Sequence, residues 1–163
     1  MSTYRALAAN CSRSVWLLFS VALLSASTTA SSQQADIDAV KAANQAFYAA
    51  LSKRDIPAIQ KVWSSAPDIQ NIGPRSKTAD VGWEAQKKSY EMTFDAFPEL
   101  KVSMPEARVK VNGSTAWVSG IEHAERKTKK GDSVKGSNIG TTIFVKQGGR
   151  WLMVYHHASA IPQ

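Results

Sequence analysis

The sequence divides into two halves that have different hydrophobic periodicities. Across residues 36–97, apolar side chains recur every three or four positions, which is the spacing of amphipathic helices. Across residues 99–160, apolar and polar side chains alternate, which is the spacing of half-buried strands. A run of helices followed by a run of strands favours the α+β class over an alternating α/β architecture. The length of 163 residues predicts one domain of this kind.

Three helices are expected in the first half. The first covers about 36–53, where acidic residues begin the helix and basic residues end it, as the helix dipole favours. The second covers about 56–64, because Asp55 is a suitable N-cap and Pro57 suits the first turn. The third covers about 81–97 and ends at the proline that follows.

The second half is expected to form an antiparallel meander. Asn112-Gly113 is a strong hairpin signal, because these residue types tolerate the positive φ that a tight turn requires. Further turns are expected at 129–132 and at 147–149. The concave side of such a sheet, covered by helices, would leave a funnel-shaped cavity. The long strands are expected over about 115–126, 134–146 and 150–160.

The first thirty residues have the organisation of a secretory signal peptide. Arg5 and Arg13 precede an apolar run at 15–24, and small residues follow it up to Ala30. The run is shorter than the roughly 20 apolar residues that a membrane-spanning helix needs. We therefore expect cleavage near Ala30 rather than an uncleaved anchor, with a cut after Ser27 as the alternative.

Such processing would produce a periplasmic or secreted protein, with a disordered leader at 31–35 and a domain at 36–161. It would remove Cys11, the chain's one cysteine, and with it any disulfide, thiol nucleophile or cysteine metal ligand. It would also lower the net charge from +7 to +5, because two arginines leave. The three histidines lack the spacing of a zinc motif, so no metal and no other cofactor is expected.

The basic cluster at 126–130 is interpreted as a solvated hairpin tip. A nucleic-acid surface would interleave aromatic side chains with the charges, and this cluster does not. We therefore expect no nucleic-acid partner, and membrane contact only through the signal peptide.

The C-terminal residues 149–159, GRWLMVYHHAS, resemble the ending G-[RK]-W-x-x-V-H-x-H-x-S of SnoaL-like proteins. These proteins belong to the nuclear-transport-factor-2-like (NTF2-like), or ketosteroid isomerase-like, superfamily. The association domain of calcium/calmodulin-dependent protein kinases shares this ending. Upstream, residues 47–63 are similar to the opening stretch of the family, and residues 82–84 to the start of its third helix. The resemblance covers about residues 36–161.

The resemblance implies an NTF2-like cone, in which three N-terminal helices pack on a strongly curved antiparallel sheet. Members commonly dimerise through the outer face of the sheet. They range from isomerases and cyclases to pure assembly domains, so the fold alone does not give the function. One departure concerns the ending itself, since Tyr155 replaces the first histidine of the pattern.

Asp68 and His157 are the candidate catalytic residues. Asp68 begins a short strand expected over 68–72, and the resemblance implies an acid near this part of the cone that shuttles protons. The alternative is an aspartate that caps a turn. His157 matches the family's second histidine. His156 and His157 are neighbours on one strand, so only one of them can face the cavity, and the sequence leaves open which one.

The remaining candidates are expected to line the pocket. Aromatic residues on the helix faces belong to the core more often than to a ligand site, but the helices cover the cavity and some should reach it. Glu122 and His123 are neighbours on one strand, so one of them must face inward, and a buried glutamate needs a partner. The pocket-lining candidates are Tyr48, Trp63, Trp83, Tyr90, Glu122, His123, Tyr155 and His156.

Three functions are compatible with these features. The first is binding of a small hydrophobic or carbonyl-containing molecule, with no assigned reaction. The second is a cofactor-independent isomerase or cyclase that uses Asp68 with a histidine or tyrosine. The third is a homo-oligomeric assembly module, since apolar residues on both faces of the last strands predict a homodimer through the sheet. Two titratable groups within hydrogen-bonding reach of one cavity point would favour the enzyme.

Overall fold

The computed structural model describes residues 14–162, with side chains from residue 31 onward. The chain separates into two units, Met1–Ala35 and Asp36–Gln163. The predicted signal peptide and its cleavage site lie outside the residues whose side chains are described, and both stay predictions. In the described part of the chain, no helix is both long and apolar enough to cross a membrane.

The structure contains the three expected helices, α1 (Ser14–Lys53), α2 (Ile56–Val62) and α3 (Trp83–Ala96). Helix α1 begins well before the expected start near residue 36, so residues 31–35 are helical rather than a disordered leader. Their side chains are exposed and show no apolar periodicity that could have indicated a helix. Asp55 caps α2 as expected, because its carboxylate accepts a 2.9 Å hydrogen bond from the Ala58 amide.

Seven strands form one curved, open sheet, and they follow the order β2-β1-β7-β6-β5-β3, with β4 also paired to β5. All pairs are antiparallel except β1 with β7, which run parallel. The predicted α+β class, with three helices packed on a curved sheet, is therefore confirmed. The strands are β1 (Gln70–Ile72), β2 (Asp80–Val81), β3 (Glu99–Ser103), β4 (Arg108–Asn112), β5 (Thr115–Lys127), β6 (Ser133–Gln147) and β7 (Arg150–Ala160).

The core lies between the helices and the inner face of the sheet. Phe47 of α1 and Ile59 of α2 meet Phe144 of β6 and Met153 of β7, and all four side chains are almost fully buried. The outer face of the long strands is different, because it carries exposed apolar side chains such as Ile139. Alternation along β5 and β6 thus separates a helix-covered face from an open one.

A β-bulge in β7 changes which side chains face the helices. Phe144 pairs with Met153 while its neighbour Ile143 pairs with Tyr155, so Val154 is an extra residue in β7. Before the bulge, the buried positions are 151 and 153, and after it they are 156 and 158. Regular alternation from Met153 would have placed residue 157 on the inner face, whereas the extra residue shifts the phase by one.

Candidate functional site

A cavity of about 450 Å³ lies between helices α1 and α3 and the inner face of the sheet. Its walls are mainly apolar, and Phe47, Leu51, Leu100, Val102, Ala124 and Ala158 contribute to them. An apolar cavity of this size with a few polar groups is typical of a small-molecule site. The polar groups therefore decide what the cavity can do.

A buried carboxylate lies at the centre of the polar groups. Glu122 of β5 is only 4% exposed. The Tyr48 hydroxyl donates a 2.7 Å hydrogen bond to Glu122 Oε1, and the Asn138 amide donates one of 3.3 Å to Oε2. His156 Nε2 lies 3.3 Å from Oε1. A buried carboxylate needs such donors, because burial without them costs several kcal/mol.

The sheet register brings these groups together. Glu122 and Asn138 are directly opposite each other on β5 and β6, and Thr142 and His156 are opposite on β6 and β7. All four side chains are buried on the inner face. Tyr48 reaches the same point from α1, so the cluster joins a helix to three strands.

His156 lies between the carboxylate and Thr142. Its Nε2 is 3.3 Å from Glu122 Oε1, and its Nδ1 is 3.1 Å from the hydroxyl of Thr142. Burial lowers the pKa of His156, and Glu122 opposes this effect only in part. Burial therefore favours the neutral form of the ring.

Tyr48 is a permanent donor in this cluster. Burial, together with the negative charge of Glu122, raises the pKa of the Tyr48 hydroxyl far above its ordinary value. The phenol therefore stays protonated throughout the pH range in which the protein is folded.

A glycine makes the space that the carboxylate occupies. A Cβ added at Gly140 would lie 2.6 Å from Glu122 Oε1 and 2.8 Å from Cδ. Real carbon–oxygen contacts of this kind are far longer, so any side chain at position 140 would displace the carboxylate.

Asn71 is a polar side chain of the cavity that lies close to the Glu122 cluster. It lies on β1, in parallel register with His156 of β7, and it is buried against the cavity. Among the described residues, its side-chain amide has no hydrogen-bond partner. The amide is also not one of the unpaired polar groups that are completely shielded from solvent. The amide N–H is therefore available to an oxygen of a bound molecule.

Tyr90 of α3 also lines the cavity, but its hydroxyl is sealed within the protein. The hydroxyl and the indole N–H of Trp63 both lack a hydrogen-bond partner in the described part of the chain. Burial raises the pKa of the Tyr90 hydroxyl, and Trp63 lowers it by a smaller amount. The two side chains do not reach hydrogen-bonding geometry. Tyr90 thus contributes its ring, not its hydroxyl, to the cavity wall.

Four of the predicted site residues line the cavity, and six do not. Tyr48, Tyr90, Glu122 and His156 belong to the lining. Of the others, Trp63 is buried in the core and Trp83 is half-buried against it. The remaining four are Asp68, His123, Tyr155 and His157.

Asp68, a candidate catalytic residue from the sequence, does not line the cavity. Asp68 is exposed, in a turn between α2 and β1, and Ile69 takes the buried position next to it. The structure therefore agrees with the alternative interpretation, an aspartate in a turn. The carboxylate in the cavity is that of Glu122.

His156, and not His157, faces the cavity. The bulge at Val154 turns His157 to the outer face, where its Nε2 lies 3.3 Å from Ser159 Oγ and its ring meets Tyr155 edge-on at 6.5 Å. The outer side of the sheet also holds His123, which is exposed and lies 3.2 Å from Ser137 Oγ.

Four residues of the site were not identified from the sequence. They are Asn71, Asn138, Gly140 and Thr142. The inward position of Glu122 could have pointed to its cross-strand neighbour, but only if the β5–β6 register had been known. Within the described residues, no group of three or more potential ligands is placed to hold a metal ion.

Comparisons with known proteins agree with this architecture. A family model described as "SnoaL-like domain" matches residues 40–163. A candidate dehydratase of the NTF2-like family from Streptomyces avermitilis is 21% identical, with a TM-score of 0.72 over 80% of this chain and 99% of that one. A ketosteroid isomerase-like protein from Erwinia carotovora is 21% identical, with a TM-score of 0.68 over 78% and 98%.

A further match links the fold to kinase association domains, as the C-terminal residues suggest. A protein from Xanthomonas campestris, described as resembling a calcium/calmodulin-dependent protein kinase II association domain, is 22% identical, with a TM-score of 0.63 over 72% of this chain and 81% of that one. No curated protein sequence matches the chain. Because the family model matches most of its length, the chain belongs to the SnoaL-like domain family, with the NTF2-like fold.

Proposed function

We propose that the protein binds a small, largely apolar carbonyl compound in its cavity and isomerises it by proton transfer, without a cofactor. The observation that carries the proposal is the buried Glu122 carboxylate, held by Tyr48 and His156 inside an apolar cavity. Three titratable groups in contact at one cavity point are typical of acid–base catalysis.

Glu122 is the proposed proton carrier. Its Oε1 accepts the 2.7 Å hydrogen bond from Tyr48 and lies 3.3 Å from His156 Nε2, whereas Oε2 has only the 3.3 Å bond from Asn138. Oε2 can therefore accept a proton from the carbon next to the carbonyl. The electrons of that C–H bond form a carbon–carbon double bond, and the carbonyl oxygen becomes an enolate oxygen. In a substrate that has a carbon–carbon double bond next to that carbon, the enolate is conjugated with it. Return of the proton to the far carbon of that double bond moves the double bond into conjugation with the carbonyl and completes the isomerisation.

Asn71 is the proposed donor to the enolate oxygen. Its amide is free and lies beside His156 on the inner face. A hydrogen bond that strengthens as negative charge develops is the usual stabilisation of such a transition state. Tyr48 and His156 act through Glu122, since the Tyr48 hydroxyl donates to its Oε1 and His156 Nε2 lies 3.3 Å from the same atom.

The second candidate function is binding without chemistry. Tyr48 and Asn138 already donate hydrogen bonds to Glu122, and His156 lies beside it, which is also what a purely structural carboxylate would require. The candidate dehydratase and the isomerase-like protein among the similar structures show the fold alone at 21% identity, so they do not decide between the two functions.

The test uses 1-tetralone, an apolar bicyclic ketone with exchangeable protons beside its carbonyl. Exchange of these protons in D₂O is followed by NMR, and binding is measured by calorimetry. We expect wild-type protein to accelerate the exchange. We also expect Glu122→Gln to slow it by about 10²–10⁴-fold while binding persists, because only the general base is removed. Glu125→Gln is the matched control, since Glu125 is an exposed glutamate on the same strand that pairs with Lys135.

The outcomes separate the two functions. Binding of 1-tetralone by wild type without faster exchange would leave the binding protein and reject the enzyme. Equal exchange by wild type and Glu122→Gln would reject Glu122 as the base. Absence of both binding and exchange would count against the cavity as a site for carbonyl compounds.

A further inference from the structure

Two arginines line the cavity away from the Glu122 cluster. Arg126 lies on β5, and positions 122, 124 and 126 of that strand all contribute to the cavity lining. Arg75 comes from the segment between β1 and β2 and lines the same cavity. Arg75 is exposed and Arg126 is half-buried, so both stand nearer to solvent than Glu122 does.

Neither arginine has an anionic partner. Among the described residues, no ion pair and no side-chain hydrogen bond involves Arg75 or Arg126. Asp80 also lines the cavity, but it lies beyond ion-pair distance of both guanidinium groups. By contrast, Arg54 donates to the carbonyls of Pro98 and Phe94, at 2.9 Å each.

The surroundings of Arg126 make the lack of an anionic partner unfavourable for this cation. Its guanidinium stacks on Phe97, with the carbon 5.7 Å from the ring centroid. Burial and the nearby positive charge of Arg75 both lower the pKa of Arg126, and Glu122 opposes them only in part. A half-buried cation beside a second cation is stabilised when an anion binds between them.

We infer that the cavity accepts an amphipathic anion, whose anionic end group binds Arg126 and Arg75 while its apolar body reaches Glu122. The inference rests on the proposed function only in naming Glu122 as the reacting end. The planar fork of a guanidinium matches a carboxylate in two hydrogen bonds, so a carboxylate is the end group that fits best.

Strand geometry sets the length of the ligand. Glu122 and Arg126 are four residues apart on one strand, which places their Cα atoms about 13 Å apart. The residue between them on the inner face is Ala124, whose methyl group leaves the intervening space empty. The ligand is thus an elongated monocarboxylate with its reactive carbon at the end opposite the carboxylate.

The test compares two probes that share one skeleton, 6-acetyl-2-naphthoate and the neutral 6-acetyl-2-naphthamide. Binding of each is measured by calorimetry at low and high KCl. We expect wild type to bind the carboxylate about tenfold more tightly than the amide, and the difference to shrink with salt. Arg126→Gln should weaken carboxylate binding much more than amide binding, so that the difference largely disappears, and Arg126→Lys should restore part of it.

Two further variants provide a second test of the anion site and a control. Arg75→Gln changes an exposed residue, so it should fold normally and weaken only carboxylate binding. Arg108→Gln removes an exposed arginine of β4 that does not line this cavity, and it should change neither affinity.

Three results would overturn the inference. These are equal affinities of wild type for the two probes, equal losses for both probes in Arg126→Gln, or a preference for the carboxylate that survives both arginine substitutions. If the amide binds and the carboxylate shows no advantage, the proposed carbonyl site stands and the anion site falls. If neither probe binds, both fall.

Discussion

Tyr48 of helix α1 donates a 2.7 Å hydrogen bond to Glu122 of strand β5, across 74 positions of sequence. The bond fastens the helical layer to the sheet inside the cavity, and it is the shortest contact that the carboxylate makes. The stability of the fold and the geometry of the site therefore depend on the same pair of atoms.

Tyr48→Phe removes this donor and leaves Glu122 buried with one hydrogen bond fewer. We expect the free energy of unfolding to fall by about 1–3 kcal/mol, because a buried charged acceptor loses a partner. Urea denaturation measures the change. Tyr155→Phe is the control, since Tyr155 lies on the outer face and has no side-chain hydrogen bond in the described structure. Equal effects of the two substitutions would contradict the role assigned to Tyr48.

Gly140→Ala places a methyl group where the Glu122 carboxylate lies. We expect a loss of about 1–3 kcal/mol, as for other overpacked sites. Gly136→Ala, on the same strand, is the matched control, because a Cβ there meets nothing within 4 Å. A double substitution with Glu122→Ala should be less destabilising than the sum of the single changes, since it removes the clash. Strict additivity would show that the two residues do not compete for space.

The lowered pKa of His156 leads to an expectation for how the stability of the fold depends on pH. Burial lowers the pKa of His156 in the folded state, against the opposing effect of Glu122 and with a smaller lowering effect of His157. Below the unfolded pKa of about 6.5, the unfolded chain takes up a proton that the folded chain does not. The contribution of His156 is therefore intact above that pH and is lost as the pH falls towards the folded pKa.

We expect the free energy of unfolding to fall by at most about 1.4 kcal/mol per pH unit as the pH drops below about 6.5, through His156 alone. Denaturation of His156→Gln should show a flatter profile in this window, whereas His157→Gln should keep the wild-type slope. A wild-type slope in His156→Gln would show that other groups cause the pH dependence.

The outer face of the sheet is the proposed surface for a homodimer. Ile139 is 56% and Trp117 43% exposed there, and Ile121 is opposite Ile139 on the neighbouring strand. An apolar surface of this kind is usually covered by a partner. We expect light scattering to give a dimer for wild type and a monomer for Ile139→Glu. Val81→Glu, at an exposed position on β2, should remain dimeric. A monomeric wild type at micromolar concentration would reject the dimer.

Export is proposed from the sequence of the first thirty residues. We expect the mature protein, taken from the exported fraction, to begin at or near Ser31. N-terminal sequencing measures this, and replacement of the apolar run 15–24 by polar residues should abolish export. Recovery of intact Met1 in the exported fraction would contradict the proposal.

The fold was predictable because local signals agree with the long-range structure. The helical spacing of residues such as Val40 and Phe47, the Asp55 cap and the glycine turns at 113 and 148–149 each act over a few residues. Such signals are present in the sequence itself. The start of α1 was not predictable, because the exposed residues 31–35 show no apolar periodicity.

The site was only partly predictable, because its members meet through register. Glu122 was identified as an inward candidate, but its partner Asn138 and the space at Gly140 depend on how β5 and β6 align. Arg126 was interpreted as part of a solvated hairpin tip, and Arg75 was not identified from the sequence. Only the folded chain brings them to one cavity.

The bulge at Val154 divides strand β7 into two segments whose inward positions are out of phase by one residue. Trp151 and Met153 face inward before the bulge, and His156 and Ala158 face inward after it. The second histidine of the terminal motif, His157, is therefore on the outer face of this chain, and the buried one is its neighbour. Which residues of β7 can reach a ligand has to be counted from the bulge towards the C-terminus and not from the motif.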